Sequence, residues 1–447
     1  MTRNIKKAAI KIAVAAILAF VLIASAFAGN FEHLAEEMKD MGLFRGTDTG
    51  FELDRVPNRA EAVIMLIRLL GVEEDALEGD YEHPFTDVPD WADAHVAYAY
   101  ENGLTTGTAA TLFDPRTECS AQMFVTFMLR ALGYSDLDGD FTYSDAIDFG
   151  KGVGIIDDFL ADGPFLRDDM VAVAYLALGT APNDGEFDTL LDKLVDEGAV
   201  PEAAAEPVLK KFALYDELSK VGSELDGEAR LAMSATMSMD MGDFGSAQAA
   251  IGLIVIAEGD SVMAEIQTTM HMAGQEYVNE YYVADGYVYT IEDSVKQKKA
   301  ADQADIDVDA LINLSNARLI AATPIYAIKS IAKSPEDAST VYTIDLTEGY
   351  KSTVVNDVLG LMGDSGFDMA QVNGLDIEFD GLAAYAGSDG ALEKIKMVMT
   401  IKMEMKMEGI SLTLPMKATL EIKFLERGEG VIITLPDDLD EYVLVEP

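Results

Sequence analysis

Apolar positions along this chain follow two different periods. Up to about residue 180 they recur every three to four residues, as on amphipathic helices, and three segments end alike: RAEAVIMLIRLLG at 59–71, AQMFVTFMLRALG at 121–133 and RDDMVAVAYLALG at 167–179. Each closes on a glycine suited to a helix C-cap. Before each lies a Gly-hydrophobic step: MGLFRGTDTGFELD from 41, NGLTTGTAATLFDP from 102 and GVGIIDDFLADG from 152. Before the first two steps runs another helical stretch, FEHLAEEMKDM and WADAHVAYAYEN. The unit reads helix, Gly-rich loop, helix, and because one unit buries only one face, three together are needed for a compact domain.

Beyond a passage at 195–225 with two prolines and an Ala/Glu-rich stretch, the period becomes two. Ile395, Met397, Met399, Ile401, Met403, Met405 and Met407 alternate with mainly polar residues, and after Gly409 the alternation resumes from Ile410 to Phe424. This predicts a long antiparallel hairpin with one apolar face. Further strands are expected from Ala232, Ser261, Glu276 and Ser339, with helical segments over 304–333 divided at Pro324 and another helix near 350–363. The expected fold is therefore multidomain: an all-α repeat domain, then an α+β domain built on a large curved antiparallel sheet with covering helices. The predicted boundaries are a leader at 1–28, repeats within 29–200 (about 31–72, 83–134 and 140–180), a linker and helix at 201–225, and the sheet domain at 226–447.

Charge narrows the functional classes. Among 447 residues, 79 Asp and Glu outweigh 32 Lys and Arg, for a formal charge of −47. Such a field opposes nucleic acid and anionic membranes, while the apolar content is too high for disorder. The first residues place four cations before an apolar run and the triplet Ala26-Phe27-Ala28, the order of a secretory signal cut after Ala28. A retained membrane helix is the rival reading; after signal removal no stable transmembrane helix is expected. Cys119 is the only cysteine, so no internal disulfide holds an exported chain together.

The repeats resemble the S-layer homology domain of bacterial surface proteins. FTDVPDWADAHVAYAYENGLTTGTAATLFDP is similar to its first helix and loop, and NRAEAVIMLIRLLG resembles its Thr-Arg-Ala-Glu helix start. The resemblance covers about a third of the chain. It implies a pseudo-threefold helical domain that binds a peptidoglycan-linked secondary cell-wall polysaccharide non-covalently, the motif arginine meeting acidic groups of the glycan in grooves between units. Carried over by residue, the motif is Asn58-Arg59-Ala60-Glu61 in the first unit, where Asn58 and Glu61 also form a capping-box pattern, and Arg167 in the third. In the second unit Ala121, or Ser120 on a one-residue slip, takes the arginine's place. The implied glycan-binding residues are Arg59, Glu61, Trp91 and Arg167. Trp91 could equally anchor a core, and Asp87 is expected to cap the turn before the helix at Trp91.

The sheet domain resembles the open half-barrel of exported lipid- and lipoprotein-carrier proteins, with VNEYYVADGYVYT and its Gly286 as the similar tract. Methionine side chains adapt to irregular apolar partners, so Met237, Met239, Met397, Met399, Met403 and Met405 suit either a sealed core or a lipid or other apolar ligand. Asp136, Asp138 and Asp140 alternate as in a calcium loop, but the bidentate Glu of an EF-hand is missing, which favours a solvated linker over a structural Ca2+ site. No cofactor is expected. His33, His83, His95 and His271 have no metal-ligand spacing, no nucleophile elbow or phosphate loop is present, and the abundance of carboxylates makes any one pair uninformative. The expectation is a non-enzymatic cell-surface protein, with an apolar-ligand carrier or a structural S-layer subunit as alternatives.

Overall fold

A computed structural model describes residues 31–136, 138–221, 230–240, 246–258, 261–272, 275–292, 295–300, 323–351, 372–407 and 410–445. The expected leader and the helices proposed at 304–322 and 352–363 lie outside them. The chain divides into two units, one of Gly29–Ala213 with Ile325–Lys329, the other of Leu214–Pro324 and Ser330–Pro447. The segment expected as linker and helix at 201–225 holds the helix Glu202–Lys220, with Pro207 inside it rather than ending it.

The first unit is built from helices α1 (Glu32–Asp40), α2 (Arg59–Leu69), α3 (Glu73–Glu78), α4 (Asp93–Glu101), α5 (Ala121–Ala131), α6 (Ala146–Val153), α7 (Asp158–Ala161), α8 (Arg167–Leu178), α9 (Leu190–Asp196) and the first part of α10 (Glu202–Lys220). The local causes are legible. Asn58 caps α2 through Glu61 N–H while the Glu61 carboxylate accepts from Asn58 N–H, a complete capping box. Ser120, Asp157 and Thr189 cap α5, α7 and α9. The apolar faces meet in a core that fully buries Phe31, Leu34, Leu66, Phe124, Met128 and Tyr175.

The second unit carries a twelve-stranded sheet: β1 (Arg230–Asp240), β2 (Ser246–Glu258), β3 (Ser261–Met272), β4 (Gln275–Ala284), β5 (Tyr287–Glu292), β6 (Val295–Ala300), β7 (Ile328–Glu336), β8 (Ser339–Leu346), β9 (Val372–Ala386), β10 (Leu392–Met407), β11 (Ile410–Arg427) and β12 (Val443–Leu444). The order β12-β6-β5-β4-β3-β2-β1-β11-β10-β9-β8-β7 joins two meanders where β1 pairs with β11. The β10–β11 hairpin holds one register from Lys394↔Lys423 to Met407↔Ile410. Asp285 and Gly286, at φ 52 and 76, make the two-residue turn between β4 and β5.

Two expectations are corrected. The sheet is mixed rather than wholly antiparallel, because β12 returns beside β6 in parallel. Residues 328–333 are strand, not helix: Ile328 and Ile331 mimic a helical period, but the segment runs extended as β7. The composition also hid β2, whose Ala and Gly residues blur the alternation that marks a half-buried strand.

Candidate functional site

The N-terminal ends of α2 and α8 meet neighbouring loops in one pattern. Arg59 N donates to Thr117 O at 2.9 Å and Ala60 N to Pro115 O at 3.2 Å; Arg167 N donates to Arg55 O at 2.9 Å and Asp168 N to Leu53 O at 3.0 Å. Thr117 and Pro115 stand to Arg55 and Leu53 by one constant offset in the numbering. Arg59 and Ala60 stand to Arg167 and Asp168 by another. The two junctions therefore present equivalent arginines at the first turn of a helix to equivalent stretches of loop. The same offset equates Arg59 with Ala121, the first residue of α5, and Asn58 with its cap Ser120, which settles which of the two fills the arginine position.

The junctions differ in charge. Arg167 is buried, 3% exposed, and paired: Nη1 donates to Glu61 Oε1 at 2.8 Å, Nε to Phe51 O at 2.9 Å, and the guanidinium lies 5.0 Å from the centre of the Phe44 ring. Glu61 also accepts both Nη atoms of Arg55. Burial opposes its ionisation, but the bonds from Arg55 and Asn58 and the Arg167 charge hold it below the usual carboxylate range.

Arg59 keeps the aromatic neighbour and loses the carboxylate. Its guanidinium lies 5.0 Å from the centre of the Phe113 ring and Nη2 donates to Thr105 Oγ1 at 3.2 Å, while the buried Nε has no hydrogen-bond partner. Among the described residues no carboxylate lies within ion-pairing distance of it. Burial, the largest influence, lowers its pKa, but a guanidinium remains charged at any ordinary pH. A partly buried cation with spare donors, backed by an aromatic ring, is arranged to take an anion.

The site residues expected from sequence thus separate. Arg59 is available. Arg167 and Glu61 are engaged with each other, and the expectation that Arg167 faces an open groove is corrected by its burial. Trp91 is 57% exposed and not a core anchor. The Asp87 carboxylate reaches beyond its own turn: it accepts from Phe113 N at 2.9 Å and Asp114 N at 2.8 Å, pinning the loop that carries Phe113. In the loop read for calcium, Asp136 is bonded twice by Arg130 and Asp140 accepts from Ser135 N–H, so protein donors occupy those carboxylates; no His, Cys, Asp and Glu cluster able to hold a metal lies among the described residues. Thr105 and Phe113 were missed: matching Gly107 to Gly46 pairs Thr105 with Phe44, while Phe113 meets Phe51 only on the offset that joins Thr117 to Arg55.

In the sheet, Met237 and Met397 flank Leu420 from either side, and Met399 pairs with Ala418. All three are at most 8% exposed. Met239, Met403 and Met405 hold register positions opposite Ala418, Leu414 and Leu412; their side chains lie outside the described residues.

No family model matches the chain. A cell surface protein of Thermoanaerobacter kivui is 29% identical over 180 residues, 39% of this chain and 22% of that protein. A middle cell wall protein of Brevibacillus brevis is 28% identical over 108 residues, and a surface layer protein of Brevibacillus choshinensis 29% over 106, each match taking in 10% of the relative. The chain thus spans about a fifth or less of the length of these relatives. Their location carries over: the chain is a secreted protein of the cell surface. Among solved structures, LprF from Mycobacterium bovis is 10% identical with a TM-score of 0.28 over 50% of this chain and 96% of its own. A LolA superfamily protein, NE2245 from Nitrosomonas europaea, gives 10% and 0.18 over 51% of this chain and 96% of its own. Neither likeness bears on function. No helix among the described residues is long and apolar enough to cross a membrane.

Proposed function

We propose that this protein is a non-enzymatic cell-surface protein of the S-layer homology class, held non-covalently on an acidic cell-wall polysaccharide by its helical unit and displaying the sheet unit. The observation that carries this reading is Arg59, a partly buried guanidinium over Phe113 with no carboxylate partner among the described residues. A carboxylate on a glycan supplies the missing anion through a charge-assisted, forked hydrogen bond. The exposed Trp91 offers an apolar ring face to a sugar. The names of the relatives, which refer to surface and wall and not to a reaction, support the absence of catalysis.

The test is co-sedimentation of the secreted chain with purified cell walls, before and after chemical removal of the secondary polymer. Binding is expected to need the polymer and to fall at least tenfold in Arg59→Ala. Binding that survives both changes would sink the reading.

A further inference from the structure

The two equivalent junctions show what kind of group Arg59 lacks. Arg167 receives its carboxylate from Glu61, the third residue of α2. By the offset that equates Arg59 with Ala121, the third residue of α5 is Met123, which has no charge to give. Both residues follow a helix cap by three positions, Asn58 before Glu61 and Ser120 before Met123. One junction is therefore an arginine satisfied from within, the other the same arginine position with its carboxylate replaced by a thioether.

We infer that Glu61 is an internal carboxylate closing the Arg167 junction, and that Met123 leaves the Arg59 junction open, so that of these two junctions only Arg59 takes an external carboxylate. This rests on the wall-anchoring reading for its biological ligand, but the closure itself is a property of the fold. Three features support it. The Glu61–Arg167 bond is 2.8 Å with Arg167 3% exposed, so the charge of this arginine is met from within the fold. Arg59 Nε, equivalent to the Arg167 Nε that bonds Phe51 O, has no partner. Thr105 offers Arg59 a neutral hydroxyl where Phe44, at the matching place two residues before the loop glycine, lies against Arg167.

The reciprocal exchange tests this. Met123→Glu places a carboxylate where Glu61 stands in the closed junction, and with Ser120 it completes a capping box. In the secreted chain we expect a raised urea midpoint and a loss of at least tenfold in binding to polymer-bearing cell walls. The part of the stabilisation that comes from Arg59 should disappear when Met123→Glu is combined with Arg59→Ala, leaving only the share of the capping box. Glu61→Gln is the converse: with circular dichroism unchanged, the saturating amount bound should rise toward twice that of the wild type.

If the wild type does not bind walls, the anchoring reading fails, and the stability coupling between positions 59 and 123 still decides the closure. Absence of that coupling overturns the inference. So does a wild type that binds through Arg59 while Met123→Glu binds equally well, or a folded Glu61→Gln chain whose capacity is unchanged.

Discussion

Lys211 Nζ lies 2.9 Å from Glu37 Oε1 and 4.7 Å from the centre of the Tyr175 ring, whose hydroxyl donates to the same carboxylate at 2.6 Å. Lys211 is only 6% exposed, so α1, α8 and α10 are tied by a buried cation with a single carboxylate partner among the described residues. Such pairs contribute little net stability over an apolar pair but are costly to break from one side. Glu37→Ala is expected to lose about 3 kcal/mol in urea unfolding, and adding Lys211→Met should recover much of it. A loss under 1 kcal/mol would show that the ammonium finds water or another acceptor.

Two groups in the same unit titrate in opposite senses. Burial, then the Lys211 charge, pull His33 from 6.5 down to about 4. Below pH 6.5 the unfolded chain gains a proton there that the folded chain refuses, so this residue costs about 3 kcal/mol as pH falls to 4. Burial pushes the Asp168 carboxyl from 3.8 up to about 6. Here the folded chain binds the proton more readily, so stability rises by about 3 kcal/mol from pH 6 to 4 and is lost again as pH rises through 6. The wild type should show little change from these two sites. Asp168→Asn should steepen acid destabilisation and His33→Gln should reverse it, as read from melting temperature between pH 4 and 7.

Gly107 has φ +74, and a Cβ there would lie 2.3 Å from the Phe85 ring and 2.6 Å from Leu112 O. Gly133, at φ +87, has its nearest neighbour at 3.7 Å. Gly107→Ala is expected to cost about 2 kcal/mol or more and Gly133→Ala about 1 kcal/mol, the difference being the collision added to the strain of a left-handed backbone. Because Gly107 sits in the loop carrying Phe113, its substitution should also weaken wall binding.

In the sheet, Met397 is 2% exposed beside Leu420. Met397→Ala should destabilise by about 3 kcal/mol. Leu425→Ala, at a side chain 62% exposed, should change stability by less than about 0.5 kcal/mol. Equal effects would mean that the methionine face is not packed.

Wall binding by a chain of charge −47 takes place against repulsion from an anionic polymer, with local attraction at Arg59. Moderate salt should therefore strengthen binding, since it screens long-range repulsion more than the partly buried contact. A steady decline with added salt would show that attraction dominates at every distance.

The sequence alone determined the switch from helical to alternating period, the helix cap at Asn58, the β10–β11 hairpin and the absence of an arginine at Ala121, because each follows from spacing within a dozen or so residues. It also pointed to Arg59. What it could not decide was which charges are free. Arg59 and Arg167 read alike along the chain, and only the folded loops bring Glu61 to one and Met123 to the other's equivalent place. The joining of β1 to β11, β12 lying parallel to β6, and the strand at 328–336 were likewise decided in three dimensions. Pairing across such separations depends on which edges remain open once the local elements have formed, and no local pattern of apolar residues encodes that.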